Sequence, residues 1–311
     1  MSEQPTSLVT GGAGFIGSHI ADALLKAGHR VAILDDLSSG RRQNLPAAAE
    51  FRQLDIRSPE TAAWIGDGGF DYLFHLAAQM DVRRSTREPI YDAEINILGT
   101  LNLARAAATA GVRQIVFAST GGAIYGEQDT FPADENHPTR PVSPYGVAKL
   151  ACERYLYYFT QELGLAATCL RYANVYGERQ NPHGEAGVVA IFARRLLAGK
   201  ECTINGDGTQ TRDYVHVSDV VRANLGVLGS SGFSTYNVGT GLETTVVKLY
   251  RLLAEAAGSP LEARHGPGKP GEQRRSSVDS RRLRSELEST APLPLPEGLA
   301  RTVEWFRQAE A

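Results

Sequence analysis

The first half of the chain alternates short apolar runs with stretches of helical periodicity. Ser7–Thr10, Val31–Leu34, Phe51–Leu54, Asp71–His75, Gln114–Ala118 and Ala166–Arg171 are strand-length segments, most of them rich in apolar residues. Between them, Phe15–Ala27 repeats Ile16, Ile20, Ala23, Leu24 and Ala27 on one helical face, and Pro89–Ala110 and Pro144–Leu163 read as longer helices. A strand that is apolar throughout is buried on both faces, and parallel strands separated by helices are joined by right-handed crossovers. The pattern therefore predicts an α/β fold, a doubly wound parallel sheet with helices on both sides. After Tyr176 the rhythm breaks. A polar loop (Gly177–Gly187), a helix (Val188–Gly199) and a glycine-rich loop (Ile204–Arg212) come next, followed by a helix at Val217–Leu228 and a strand at Thr235–Val238 that returns to the sheet. Proline-rich Pro260–Pro270 and Pro292–Pro296 mark a smaller, less regular C-terminal lobe. The expected organisation is a sheet domain over 1–175, rejoined by 213–239, and a second lobe over 176–212 and 240–311.

Composition narrows the function classes. With 311 residues, 42% of them hydrophobic, the chain can bury a substantial core. A net charge of −3 supplies no basic field for nucleic acid or an anionic membrane surface. Cys152, Cys169 and Cys202 form no CxxC pair, which argues against a disulfide framework or a metal site and fits a reducing compartment. The N-terminal residues lack a basic and apolar leader, and no run approaches the length of a membrane span, so a cytoplasmic protein is expected.

The first chemical signal lies between the first strand and the first helix. Gly11, Gly14 and Gly17 stand at GxxGxxG spacing. Such a turn must be tight, let the backbone approach a pyrophosphate and bring helix and strand close together, and each need excludes a Cβ. The helix N-terminus then offers N–H groups and a partial positive charge to the phosphates. Asp35, 18 residues after Gly17, falls at the end of the second strand. A carboxylate there accepts hydrogen bonds from ribose hydroxyls and repels a 2′-phosphate, so the expected cofactor is NAD, bound on a Rossmann-type sheet. Arg41 and Arg42 lie nearby and are able in principle to read a 2′-phosphate. Asp55 is expected at the adenine edge, and His75-Leu76-Ala77-Ala78 ends the fourth strand in small residues past which a cofactor fits.

Tyr145 and Lys149 form Y-x-x-x-K, an i, i+4 pair on one helical face. Alone, such a pair is an ordinary surface feature. Beside a nicotinamide site it has a chemical use: an ammonium and a positive ring stabilise a phenolate and bring a tyrosine into range as a base. Ser119 and Thr120 follow the fifth strand at the carboxyl edge of the sheet, where such folds bind ligands, and one of their hydroxyls is expected to relay or orient the substrate proton. Together these groups specify hydride transfer at a carbinol carbon.

Several segments closely resemble the extended short-chain dehydrogenase/reductases, and among them the UDP-glucose 4-epimerases. They are Thr10–His19 (TGGAGFIGSH), His75–Gln79 (HLAAQ), Ser119–Glu127 (STGGAIYGE), Ser143–Lys149 (SPYGVAK), Leu170–Gly177 (LRYANVYG), Gly206–Asp219 and Pro270–Glu272. The resemblance implies an isomerase in which bound NAD takes a hydride from C4 of a UDP-hexose, the tyrosine takes the O4 proton, and both return to the other face. It implies Tyr145 as base, Lys149 as its modulator and Thr120, ahead of Ser119, as hydroxyl partner. The implied cofactor contacts are Gly11, Gly14, Phe15, Ile16, Gly17, Asp35, Asp36, Leu37, Ser38, Ser39, Gly40, Asp55, Ile56, Leu76, Ala77, Ala78, Gln79, Asn96, Ser119, Tyr145, Lys149 and Tyr172. The substrate is expected to meet Thr120, Tyr145, Asn174, Arg212, Tyr214, Lys269, Arg274 and Ser276, with Arg275 an alternative partner for the diphosphate. Ser276 falls beside the hexose C2 substituent by this resemblance, and so small a residue leaves room for an N-acetyl group as in UDP-GlcNAc or UDP-GalNAc. A homodimer through Pro89–Ala110 and Pro144–Leu163 is implied as well. The other readings are a UDP-glucuronate decarboxylase, a dTDP-glucose 4,6-dehydratase, another sugar-nucleotide oxidoreductase, or a non-catalytic NAD sensor. Gly121 and Gly122 beside Thr120 speak against the dehydratase, which needs an acid–base pair there.

Overall fold

The computed structural model describes residues 4–182, 187–268, 273–287 and 290–309. Strands β1 (Thr6–Thr10), β2 (Arg30–Asp35), β3 (Glu50–Gln53), β4 (Tyr72–His75), β5 (Gln114–Thr120) and β6 (Ala166–Tyr172) join a seventh, Phe233–Val238, in one sheet. From Phe233–Val238 the order runs β6, β5, β4, β1, β2, β3. β1 pairs in parallel with both β2 and β4, so the strand order reverses at β1, the point where such sheets open a crevice for ligands. The apolar runs form strands because both faces are covered: Leu8, Leu34, Leu73, Ile115 and Phe117 are all buried with Leu103 and Leu156 from the flanking helices.

The helices are α1 (Phe15–Lys26), α2 (Pro59–Asp67), α3 (Val82–Arg87), α4 (Pro89–Ala93), α5 (Gly99–Ala110) and α6 (Pro144–Leu163). α6 has the bounds its sequence predicts. Ser143 caps it by accepting the Gly146 N–H, Pro144 occupies the first turn, and Gly164 at φ +70° ends it. Pro89–Ala110, expected as one helix, is interrupted by a π turn at Glu94–Leu98. There the Asn96 side chain pairs with both backbone groups of Gln79, while its carbonyl accepts from the Thr100 hydroxyl (2.6 Å) and the Cys152 thiol (3.1 Å).

The chain divides into two compact units. The first comprises Met1–Ile124, Pro141–Arg171 and Val221–Tyr236; the second comprises Tyr125–Arg140, Tyr172–Val220 and Asn237–Ala311. Residues 125–140 thus belong to the second unit, and the segment returning to the first is shorter than expected. Backbone and side-chain bonds explain the first point: Tyr125 Oη donates to Asn237 Oδ1 at 2.7 Å, and the Ala133 N–H donates to the Ser277 carbonyl at 3.0 Å. The second unit is also more regular than its prolines suggest. Helices Val188–Leu197, Val246–Ala257 and Leu295–Ala309 enclose a core of Phe192, Leu249, Leu253, Val303 and Phe306. Among the described residues no helix is long and apolar enough to cross a membrane.

Candidate active site

Steric necessity explains the glycines of the β1–α1 turn. Gly11 sits at φ +70°, and a Cβ there would lie 2.7 Å from the Ala77 nitrogen. A Cβ on Gly17 would lie 2.3 Å from the Gly11 carbonyl oxygen, and one on Gly12 2.6 Å from Ile33. Gly14 is the N-cap of α1; no side chain caps this end and no acidic residue stands in its first turn, where Phe15 and Ile16 lie. Its N–H groups and partial positive charge remain for an anion.

Asp35 closes β2, buried. Its Oδ2 accepts from the Ala13 N–H (3.0 Å) and its Oδ1 from the Leu37 N–H (2.8 Å), which ties the glycine turn to the next loop. Burial pushes its carboxyl above the usual range and the two N–H groups pull it back. Each oxygen retains a lone pair for a sugar hydroxyl. In the loop, Asp36 Oδ1 accepts from both the backbone N–H and the hydroxyl of Ser38, Leu37 has φ +61°, and Ser38 and Ser39 are exposed. Gly40 passes so close to Asp35 that a Cβ would lie 2.7 Å from Oδ1. Arg41 and Arg42 are exposed, and Arg42 reaches Gln53 rather than Asp35. Asp55 is already engaged: Arg57 holds both its oxygens at 2.6–3.1 Å and draws the carboxyl below its usual range. Ile56 is buried against Gly99. Leu76, Ala77 and Ala78 follow β4 half-buried, and Gln79 is held by Asn96 and Asp92.

The two adjacent hydroxyls on β5 have different surroundings. Ser119 is 4% exposed and donates to Glu153 Oε1 at 2.6 Å, while Arg171 binds the same carboxylate through Nε (3.0 Å) and Nη2 (2.7 Å). Ser119 is therefore part of a buried ion-pair network. Thr120 is half-buried, and among the described residues its Oγ1 accepts the Ala123 N–H, at 3.2 Å. Tyr145 and Lys149 lie one turn apart on α6. Lys149 is buried, donates to the Ala118 carbonyl at 2.9 Å and sits 4.6 Å over the Phe117 ring centroid and 5.9 Å from that of Tyr145. Burial lowers its pKa, partly offset by Cys152 and Asp92. The sequence led us to expect a phenol brought into working range by this ammonium. Instead, burial pushes Tyr145 well above its ordinary value, and Asp92 adds to the effect. Further positive charge is needed, and a bound oxidised nicotinamide is a source of it.

Sequence reasoning missed the polar scaffold below this pair. His75 is fully wrapped: Nδ1 meets Thr10 Oγ1 at 2.8 Å and Nε2 meets Thr100 Oγ1 at 2.9 Å, and burial lowers its pKa to about 3. It is a neutral crosslink between β4, β1 and α5. Asp92, Glu153 and Arg171 were missed as well, because a buried charge and an exposed one are written with the same letter.

This combination of a sterically required glycine turn, a buried carboxylate closing β2 and a Tyr/Lys pair on one unit agrees with the comparisons with known proteins. The model of the NAD dependent epimerase/dehydratase family matches residues 7–239. The chain belongs to the NAD dependent epimerase/dehydratase family. A UDP-glucose 4-epimerase of Mycolicibacterium smegmatis is 46% identical over 97% of this chain and 98% of its own length. The crystal structure of a Thermotoga maritima UDP-glucose 4-epimerase with UDP-glucose matches with a TM-score of 0.96 at 47% identity, covering 98% of this chain and all of that one. A UDP-N-acetylglucosamine 4-epimerase from Methanobrevibacter ruminantium, in complex with UDP-N-acetylmuramic acid, matches with a TM-score of 0.92 at 32% identity, covering 99% of this chain and 100% of that one.

The second unit carries the remaining positions expected from the sequence, Tyr172 as a cofactor contact and the others on the substrate side. Tyr172 and Tyr214 are buried, and Asn174 is half-buried on a short strand, Asn174–Tyr176, that pairs in parallel with Tyr214–His216. Arg212 donates to the Thr211 carbonyl at 2.7 Å. Arg275 is bound bidentately by Glu243 and stacks over Phe131; both it and the neighbouring Arg274 are exposed. Ser276 is buried. Lys269 lies outside the described residues.

Proposed function

We propose that this family member is a UDP-hexose 4-epimerase that interconverts UDP-glucose and UDP-galactose. The observation that carries the reading is the set of groups on the first unit: Tyr145, buried Lys149, Thr120 with a hydroxyl that accepts one backbone N–H, and a glycine turn that no Cβ fits. That turn, the uncapped end of α1 and Asp35 suit NAD. NAD, when bound, supplies a reversible acceptor for a hydride from the sugar carbon. Tyr145 takes the proton of the sugar hydroxyl and later returns it, Thr120 orients that hydroxyl, and Lys149 holds positive charge beside the phenol. Gly121 and Gly122, next to Thr120, offer no proton donor or acceptor for eliminating water, which favours epimerisation over dehydration.

In the same reading, Asn174, Arg212, Tyr214 and Arg274 recognise the nucleotide sugar, with Arg274 rather than Arg275 on the diphosphate because Glu243 already holds Arg275. Ser276 leaves room for an N-acetyl group, and the Methanobrevibacter relative is named for an N-acetylated substrate. The protein forms a homodimer through one face of the first unit. Ile90 and Leu98 in the 89–110 stretch are exposed, and so are Val147, Tyr155 and Tyr158 on α6, where apolar side chains in water cost stability unless a second copy covers them. A cytoplasmic location fits three cysteines that are all buried free thiols. The decisive test is incubation of purified protein with UDP-galactose and no added cofactor. UDP-glucose is the expected product, lost in Tyr145→Phe; net NADH formation or release of carbon dioxide or water would point to another member of the family.

A further inference from the structure

Asp92 stands out among the buried groups that the proposed reaction does not use. α4 packs against α6, and Asp92 on α4 is 1% exposed. Its Oδ1 accepts from Gln79 Nε2 (2.8 Å) and Asn96 Nδ2 (3.0 Å), whereas Oδ2 is buried with no hydrogen-bond partner among the described residues. Asn96 in turn takes the Cys152 thiol at 3.1 Å on its carbonyl, and Cys152 is three residues beyond Lys149 on α6. A continuous polar chain thus runs from Asp92 to the turn that carries the lysine.

Lys149 presents the complementary problem. It is a buried ammonium bonded to a carbonyl, with no ion-pair partner among the described residues. Two carboxylates exert a field on it, Asp92 and Glu153. Glu153 is already neutralised by the bidentate Arg171. Among the described residues, the other elements packed near Asp92 contribute no competing cation. On α3, Arg83 and Arg87 are exposed, and Arg84 is held by Glu88 and the Tyr91 ring. In the π turn Glu94 faces Arg57; on α5 Arg105 is exposed. On α6, Tyr145 and Cys152 are the other titratable groups within the field of Asp92.

We propose that Asp92 is a positioning residue of the redox site, the permanent counter-charge of Lys149, which keeps the ammonium charged in both halves of the reaction and favours Tyr145 as a neutral phenol. The proposal rests on the epimerase reading for its charge count. With an oxidised nicotinamide and a Tyr145 phenolate, two positive charges face two negative ones. Once the sugar C–H and O–H have become a carbonyl, the proton is on Tyr145 and the hydride on the ring, and Lys149 faces Asp92 alone. Without Asp92 both states would bury a net positive charge, which is costly in a site of low dielectric.

Asp92→Asn keeps an acceptor for Gln79 and Asn96 and removes the charge. In the NAD-bound protein, Tyr145 is read from the ultraviolet absorbance of its phenolate, as the difference between each protein and its Tyr145→Phe counterpart. Ionisation about one unit lower in Asp92→Asn is expected, and a shift below about 0.3 unit overturns the proposal. The pH profile of kcat moves the same way while KM for UDP-galactose stays within about twofold; a uniform loss of kcat at every pH without displacement indicates mere structural damage and also overturns it. If Asp92→Asn does not fold, Lys149→Met carries the test. Deprived of its counter-charge, Asp92 takes up a proton, and the infrared band of a protonated carboxyl appears that the unsubstituted protein lacks; its absence is fatal to the idea. Both spectroscopic readings are made without substrate. If the variants show them but the unsubstituted protein fails to convert UDP-galactose, the epimerase reading is refuted and the counter-charge stands.

Discussion

Ser119→Ala and Thr120→Val, made separately, test which of two adjacent hydroxyls does chemistry. Ser119 donates to the buried Glu153 carboxylate at 2.6 Å, and a hydrogen bond to a charged group contributes roughly 1.5–3 kcal/mol. Arg171 stays on that carboxylate in Ser119→Ala, so the charge remains compensated and the loss falls near the lower figure, about 1.5 kcal/mol. For a chain of this size that corresponds to a fall in Tm of roughly 2–3 °C. Thr120 is half-buried and accepts one backbone N–H at 3.2 Å, so Thr120→Val costs about 1 kcal/mol or less. It also removes the hydroxyl that orients the substrate proton, and groups of that kind contribute on the order of 10²-fold or more to the rate. The assay pairs thermal melts with steady-state kcat on UDP-galactose, measured well below both melting points. Ser119→Ala should melt earlier and turn over within about threefold of the parent; Thr120→Val should melt close to the parent and turn over about 100-fold more slowly. The reverse pattern, a slow Ser119→Ala and a fast Thr120→Val, would refute the assignment of roles by burial.

Gly17→Ala places a Cβ 2.3 Å from the Gly11 carbonyl oxygen, backbone that cannot swing aside, so a loss of about 1–3 kcal/mol and of copurifying NAD is expected; full NAD content at the parental Tm would count against the cradle. His75 has a folded pKa of about 3 against an ordinary 6.5, so below pH 6.5 the unfolded chain binds a proton that the folded chain refuses. Stability attributable to this residue therefore falls by up to about 1.4 kcal/mol per unit as pH drops from 6.5 towards 3. Urea melts of His75→Asn between pH 5 and 7 should show a shallower decline, on the order of one proton less in slope, and an unchanged slope contradicts the neutral crosslink. Val147→Glu on the exposed face of α6 should convert a dimer to a monomer in light scattering; a monomeric parent removes the dimer. The ratio of kcat/KM for UDP-galactose over UDP-GalNAc should stay below about 100, and a larger preference for the plain sugar removes the role given to Ser276.

How much of the fold the sequence discloses depends on how local its cause is. Strands β1, β2, β4 and β5 announce themselves because both faces are buried, so the apolar run needs no knowledge of its neighbours. α6 is read to the residue because Ser143, Pro144 and Gly164 mark both its ends. The π turn at Glu94–Leu98 is invisible by comparison, since its side-chain partners, Gln79 and Cys152, come from distant positions. The helix Leu295–Ala309 was hidden by a misread proline. Pro296 sits in the first turn, where a missing N–H costs nothing, and Leu299, Val303 and Phe306 then repeat on the buried face.

The same distinction governs the site. The glycines and Asp35 are readable because their constraints come from the turn itself: a Cβ collides, or a backbone N–H needs an acceptor two residues on. Asp55 was readable as well, and what the structure adds is Arg57, two residues away, on the same carboxylate. Ser119 and Thr120 show where local reading stops. Successive residues of a strand face opposite sides of the sheet, so the two hydroxyls meet different neighbours and only one of them reaches Glu153. Nothing in the S-T pair says which. The answer comes from Glu153 and Arg171, distant in sequence, whose buried ion pair needs one more donor and takes it from Ser119. Thr120 becomes the candidate for chemistry because the fold has left its hydroxyl less occupied, and a hydroxyl already bound to a buried carboxylate must break a charge-assisted bond before it can serve a substrate.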